Sequence, residues 1–226
     1  TATTEIYTLA LHDALPICIP VAFANDVNLA AVAEAHSGAA RGVPDFVLVW
    51  LGVGVGLAIV LNGRLHHGST GAAGEIGYLP VPGADIPRGS TRRAKPAFGQ
   101  LAGADALRAV AREHGYRAAS AADAIRAAIA AGTAGGPLLD EVARRLALGV
   151  ASSCVVLDPP LVVLAGEVGQ AGGSALAERV QHEVAAITLV TPRVVPTALT
   201  EEPVLHGALR VALDEVRDEV FGATVG

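Results

Sequence analysis

Methionine is absent from the 226 residues, and lysine nearly so, with Lys95 the single copy. A complete reading frame begins with Met, so a chain that opens at Thr1 and has no internal Met is expected to lack its true start. Cysteine is scarce: Cys18 and Cys154 are the whole supply. Two cysteines suit a reducing, cytoplasmic setting better than a disulfide scaffold, and they are too few for a Cys-rich zinc site. Aromatics make up 4% of the chain and charged residues 17%. No unbroken apolar run reaches the ~18 residues a membrane helix needs. The most apolar stretch, 46–61, is interrupted by Gly52, Gly54 and Gly56 and so reads as strands. No secretory signal is visible. A net charge of -6 and a pI of about 5.6 argue against a nucleic-acid surface in this segment.

What is present is apolar: 52% hydrophobic residues and a mean hydropathy of +0.48. That supplies a sizeable core and excludes disorder as the main description, because disordered chains are polar and strongly charged. The length allows one large domain or two small ones. Residues 1–18, TATTEIYTLALHDALPIC, differ in composition from the Ala-, Val- and Gly-rich text that follows. They resemble translated sequencing adapter, which would place the native start near Ile19 and make Cys18 foreign. An ordinary N-terminal strand over 5–11 is the alternative.

Periodicity and turn signals predict the following order. A helix capped by Asn25 or Asp26 runs to about His36. Strands follow at 46–51 and 55–61, then an Asn62-Gly63 hairpin turn into 64–67, a glycine-rich loop over 68–77 and a short strand at 78–81. An irregular connection spans 82–98. Helices are expected at 104–114, 121–131 and 137–156, a strand at 161–165, a helix at 174–186, a strand at 193–198 and a last helix at 203–221. In that last helix Leu205, Leu209, Ala212, Leu213 and Val216 recur at core-packing spacing. The alternation argues an α/β chain.

Four stretches could carry chemistry. Asn25-Asp26 at a helix start offers a carboxylate that can accept a hydroxyl proton and an amide that can hydrogen-bond hydroxyls; a plain N-cap is the competing role. The glycines of LGVGVG, 51–56, would let backbone N–H groups approach an anion, or would simply make a tight turn. Glu75 within GAAGEIGY can bind a small ligand or be a solvated loop residue. The strand ending in LAGEVGQAGG meets a helix where α/β folds place ligands, or it is an ordinary strand-to-helix turn. It lacks the dinucleotide spacing.

In order and spacing, Asn25-Asp26 with Glu34, LGVGVG, NGRLHHGSTGAAGEIGY, DPPLVVLAGE and the terminal HGALRVALDEVRDEVFG resemble the ROK family of bacterial sugar kinases and sugar-responsive repressors. The resemblance covers roughly 19–222, with 223–226 as a tail. It implies the C-terminal lobe of an actin-like, ribonuclease-H-like ATPase fold, the N-terminal lobe, against which the last helix would pack, being mostly missing. It implies Asp26 as the base of a kinase, where kinase activity exists, and Asn25, Asp26, Glu75 and Tyr78 as sugar contacts. It also implies that Gly52, Gly54 and Gly56 form a second phosphate loop, and that Gly166 lies on the adenosine side.

Three departures qualify this. The family's opening Asp-x-Gly-x-Thr phosphate loop is absent, so no cofactor is expected for this stretch, and ATP with Mg only for a kinase. Tyr78 stands where zinc-binding members have His, and 82–98 contains no Cys or His, so no zinc site is expected. His66 and His67 are adjacent on a hairpin and point to opposite faces, which makes them poor co-ligands. The Tyr78 departure, with the basic PRGSTRRAKPAFG and acidic ALDEVRDEVFG segments, looks more like the repressor branch. The expectation is therefore the sugar-sensing part of a homo-oligomeric regulator, with DNA bound only through an upstream winged helix-turn-helix that nothing in 19–226 supplies. The C-terminal lobe of an ATP-dependent hexose kinase is the alternative.

Overall fold

The computed structural model describes residues 24–81 and 97–222. The readings of residues 1–18, of the tail 223–226 and of nearly all of the connection 82–98 lie outside the described residues.

Strand β1 (Phe46–Leu51) forms a hairpin with β2 (Val55–Leu61), and β2 turns through Asn62 and Gly63, both at positive φ, into the two-residue β3 (Arg64–Leu65). Two consecutive left-handed residues give the turn whose twist matches antiparallel strands, and Asn-Gly is the pair that tolerates it. β4 (Leu161–Ala165) and β5 (Arg193–Pro196) complete a five-stranded sheet of order β3-β2-β1-β4-β5. β1, β4 and β5 are parallel, with Val47 opposite Val162 and Leu161 opposite Arg193.

Both faces of the sheet are covered, which is why β1 reads as an unbroken apolar run rather than an alternating one. On one face, Val47, Val49, Leu51, Leu57, Val162 and Leu164 pack with the helices between β3 and β4 and the helix after β4. These are α2 (Ala97–Ala102), α3 (Ala104–Glu113), α4 (Ala121–Ala130), α5 (Gly136–Leu157) and α6 (Gly166–Ile187). On the other face, Phe46, Leu48, Ala58, Leu161 and Val163 pack against Val27, Ala30 and Ala31 of α1 (Asp26–Ser37). The last helix, α7 (Pro203–Gly222), lies on α1, where a Cβ on Gly207 would run into the Leu29 carbonyl. Among the described residues, no helix is long and apolar enough to cross a membrane.

Three expectations change. The strand expected at 78–81 is a 3-10 turn, Ile76–Tyr78, followed by irregular chain; Pro80 lacks the N–H that a ladder needs. Helix α2 was not foreseen, because a six-residue segment with Gly99 in its middle carries almost no periodic signal. Helix α6 starts at Gly166 and is broken at Gly173 (φ 51, ψ -150), so only its second part matches 174–186. Its glycines reflect proximity to the sheet: a Cβ on Gly169 would sit 2.7 Å from the Leu164 carbonyl carbon. The apolar stripe of α7, expected to pack against the missing lobe, lies outside the described core. Leu205, Leu209, Leu213 and Val216 are each half exposed or more, and the residues turned inward are Val204, Gly207, Ala208 and Val211.

Candidate functional site

The parallel strands β1 and β4 end side by side at Leu51 and Ala165, flanked by the Gly52–Gly54 turn and by Gly166. Ligands in open α/β sheets bind outside such carboxyl ends. The Gly52 carbonyl accepts the Ala104 N–H at the start of α3 (3.1 Å), and the Gly52 N–H donates to the Gly54 carbonyl (3.1 Å). The first tie fixes α3 to the glycine turn. The second makes the turn itself.

The four glycines differ in what they accommodate. A Cβ on Gly52 would lie 3.1 Å from the Trp50 indole nitrogen, one on Gly56 2.9 Å from a Val27 methyl, and one on Gly166 2.6 Å from the Leu51 carbonyl oxygen. These three permit close packing, and at Gly166 the backbone is also left-handed (φ 77). Gly54 alone of the four faces open space, with nothing within 4 Å of the Cβ position. A glycine there bares backbone to solvent, as an anion-binding turn requires.

The GEIGY segment is pinned to β2 where the Leu57 N–H donates to the Gly74 carbonyl (2.9 Å). Gly74 (φ 94) is required there, because a Cβ would collide with the Leu57 carbonyl. The pin turns Glu75 and Tyr78, both exposed, toward a cavity of about 620 Å3. Gly54, Glu75, Tyr78, Gln100, Gly103 and Asp105 are among its lining residues. The volume falls within the range of small-molecule sites, and a few polar groups converge on it. Gln100 and Asp105 were not foreseen. Gln100 rides on the unpredicted α2, and Asp105 lies in the first turn of α3, where its sequence context looks like ordinary helix capping. A second, apolar pocket of about 340 Å3 beside Phe98, Leu148, Val155 and Ile187 has no titratable side chain on its wall and offers little to orient a polar ligand.

Asn25 and Asp26 do not line the 620 Å3 cavity. Asn25 is the N-cap of α1: its Oδ1 accepts the N–H groups of Val27 (2.9 Å) and Asn28 (3.2 Å), and Asp26 Oδ1 also accepts the Val27 N–H (2.9 Å). The capping role is therefore real, and both side chains are exposed. The Val27–Gly56 packing joins this helix end to the glycine turn. Gly166 lies across Leu51 from that turn and is likewise outside the cavity wall. His67, with His36, Arg64, Arg210, Asp214 and Asp218, borders a separate cavity of about 510 Å3 toward the other end of α1. Among the described residues, no group of three or more His, Cys, Asp or Glu side chains is arranged to hold a metal.

The ROK family profile matches residues 14–215. A glucokinase from Halalkalibacterium halodurans is 33% identical over 183 residues, covering 73% of this chain and 54% of that protein. A ROK hexokinase from Thermus thermophilus superposes with a TM-score of 0.71 at 30% identity, over 88% of this chain and 67% of the hexokinase. A ROK family transcriptional regulator homologous to the E. coli MLC protein superposes with a TM-score of 0.69 at 24% identity, over 84% of this chain and 51% of the regulator. The last shows the shared fold alone. The chain thus spans about half the length of the glucokinase it matches.

Proposed function

The chain belongs to the ROK family, and on that premise we propose that it is the sugar-sensing part of a ROK transcriptional regulator. The carrying observation is the convergence of Glu75, Tyr78, Gln100 and Asp105 on one cavity beside the open Gly54 turn. Carboxylates and amides at a cavity wall are the groups that pair with the hydroxyls of a sugar. Tyr78 in place of the family's zinc-associated His, and the lack of Cys in 82–98, favour the regulatory branch. Sugar bound between Glu75 and Asp26 would favour one lobe arrangement over another, and a DNA-binding domain outside this sequence would read that choice.

A second reading, the C-terminal lobe of an ATP-dependent hexose kinase, is favoured by the 33% identity to a glucokinase and by the bare Gly54 backbone. There Asp26 would take the proton of the attacking sugar hydroxyl. Gly54 is the residue fitted to approach the phosphates of an Mg-bound ATP, and that nucleotide would supply the transferred phosphoryl group.

Calorimetric titration with glucose and other hexoses tests the site. The wild-type chain is expected to bind, and Asp26→Ala and Glu75→Ala each to weaken binding about tenfold to a hundredfold, the loss of a buried hydrogen bond costing ~1–3 kcal/mol. Unchanged affinity in both variants refutes the assignment. Hexose-dependent release of ADP from ATP in the same samples would replace the regulator reading with the kinase one.

A further inference from the structure

Glu34 is a carboxylate with 0% solvent exposure, eight residues along α1 from Asp26, and among the described residues no cation forms an ion pair with it. Burying a charge is costly unless directed donors replace its water. Here they do, and they come from two separate segments. Oε2 accepts the Ala39 N–H (2.6 Å) in the turn after α1. Oε1 accepts the Thr197 hydroxyl and, as the longer branch of a donor shared with Thr197 Oγ1 (3.1 Å), the Leu199 N–H (3.4 Å), both just beyond β5. Gly38 leaves room for this, since a Cβ there would overlap Oε2. The segment after β5 is held from its other side by Gln170 of α6, whose side-chain amide donates to the Thr200 carbonyl (3.0 Å).

The need for such a clamp follows from the rest of the helix. Half of the buried residues of α1 are alanines: Val27, Asn28, Ala30, Ala31, Ala33 and Glu34 make up the set. Methyl groups give shallow ridges, and dispersion contact across a shallow surface changes little when a helix slides along its axis. Hydrogen bonds are directional and fix that sliding coordinate. We infer that Glu34 is a positioning residue: its three acceptor contacts set the axial placement of α1 and so hold its N-terminal end, with Asn25 and Asp26, beside the Gly52–Gly56 turn on which Val27 packs. This rests on the sugar-site reading above for its functional consequence, and on geometry alone for the placement of α1.

The test uses Glu34→Gln. A carboxylate accepts on both sides, whereas an amide accepts on one and donates on the other, so the amide of this variant would meet one of the donors now facing Glu34 with a donor of its own. Trp50, the single tryptophan, packs against the cluster under α1 and reports its seat. The expected result is a red shift of Trp50 emission, faster hydrogen exchange of the 27–31 amides and at least a tenfold loss of hexose affinity. In double variants the affinity loss should be non-additive with Asp26→Ala and additive with Glu75→Ala, a pattern that general loosening does not give. Unchanged emission and exchange, or equal additivity in both backgrounds, overturns the inference. A wild-type chain that binds no hexose overturns the sugar reading separately, and emission and exchange then decide the placement of α1. Should Glu34→Gln fail to fold, Thr197→Val removes the hydroxyl donor alone, and the same readouts apply.

Discussion

At the scale of single residues, Cys154 carries a clear electrostatic signature. It is fully buried at the end of α5, and burial pushes its thiol up to about 11, with the charge of Asp158 adding to the effect. A thiol is neutral when protonated, so the native state favours the proton. That stabilisation is complete below an unfolded pKa near 9 and is lost as pH rises toward about 11. The folded chain should therefore resist iodoacetamide at Cys154 at pH 8, label on addition of urea, and unfold more easily between pH 9 and 11; peptide mass spectrometry and chemical denaturation measure these. Rapid labelling of the native chain would contradict the burial. Residues whose roles depend on near neighbours were legible in the sequence, as with Asn25, whose capping contacts are two and three residues away. Glu34 was legible only as part of a motif, because its partly buried partners Thr197 and Leu199 lie 163 and 165 residues further on.

At the scale of elements, α1 and α7 cross closely enough that Gly207 touches the Leu29 backbone. Gly207→Ala gains helix propensity yet has to push the two helices apart, and overpacking of this kind costs about 1–3 kcal/mol. Urea melts should show net destabilisation; a gain in stability would mean that the helices do not pack as described. The strands β1, β2 and β4 emerged with the boundaries expected, since short β-branched runs between glycines and turn pairs have one sensible reading. Glycine misled where it sat inside a helix rather than at a turn. Gly169 lies in α6 packed against β4, and Gly99 lies in the middle of the short α2, so neither stretch reads as helix. With α2 went the chance of foreseeing Gln100 on the cavity wall.

At the scale of the molecule, one apolar surface stands out. Leu205, Leu209, Leu213, Val216, Val220 and Phe221 form an exposed band along α7, each at least half accessible. Bands of this kind promote association. The double variant Leu209→Glu, Leu213→Glu should scatter less light at high concentration while its stability stays within about 0.5 kcal/mol of wild type; a large stability loss would show that the band is internal in solution. The sheet order has a further consequence, in time rather than in space. β1 and β2 meet across a tight turn, but β1 pairs with β4 across more than a hundred residues, as Val47 opposite Val162 shows. Closing a loop of that size costs about 4 kcal/mol of chain entropy before any contact repays it. The hairpin should form early and the central parallel pair late, so the slow step of folding belongs to the parallel strand junction beside the glycine turn.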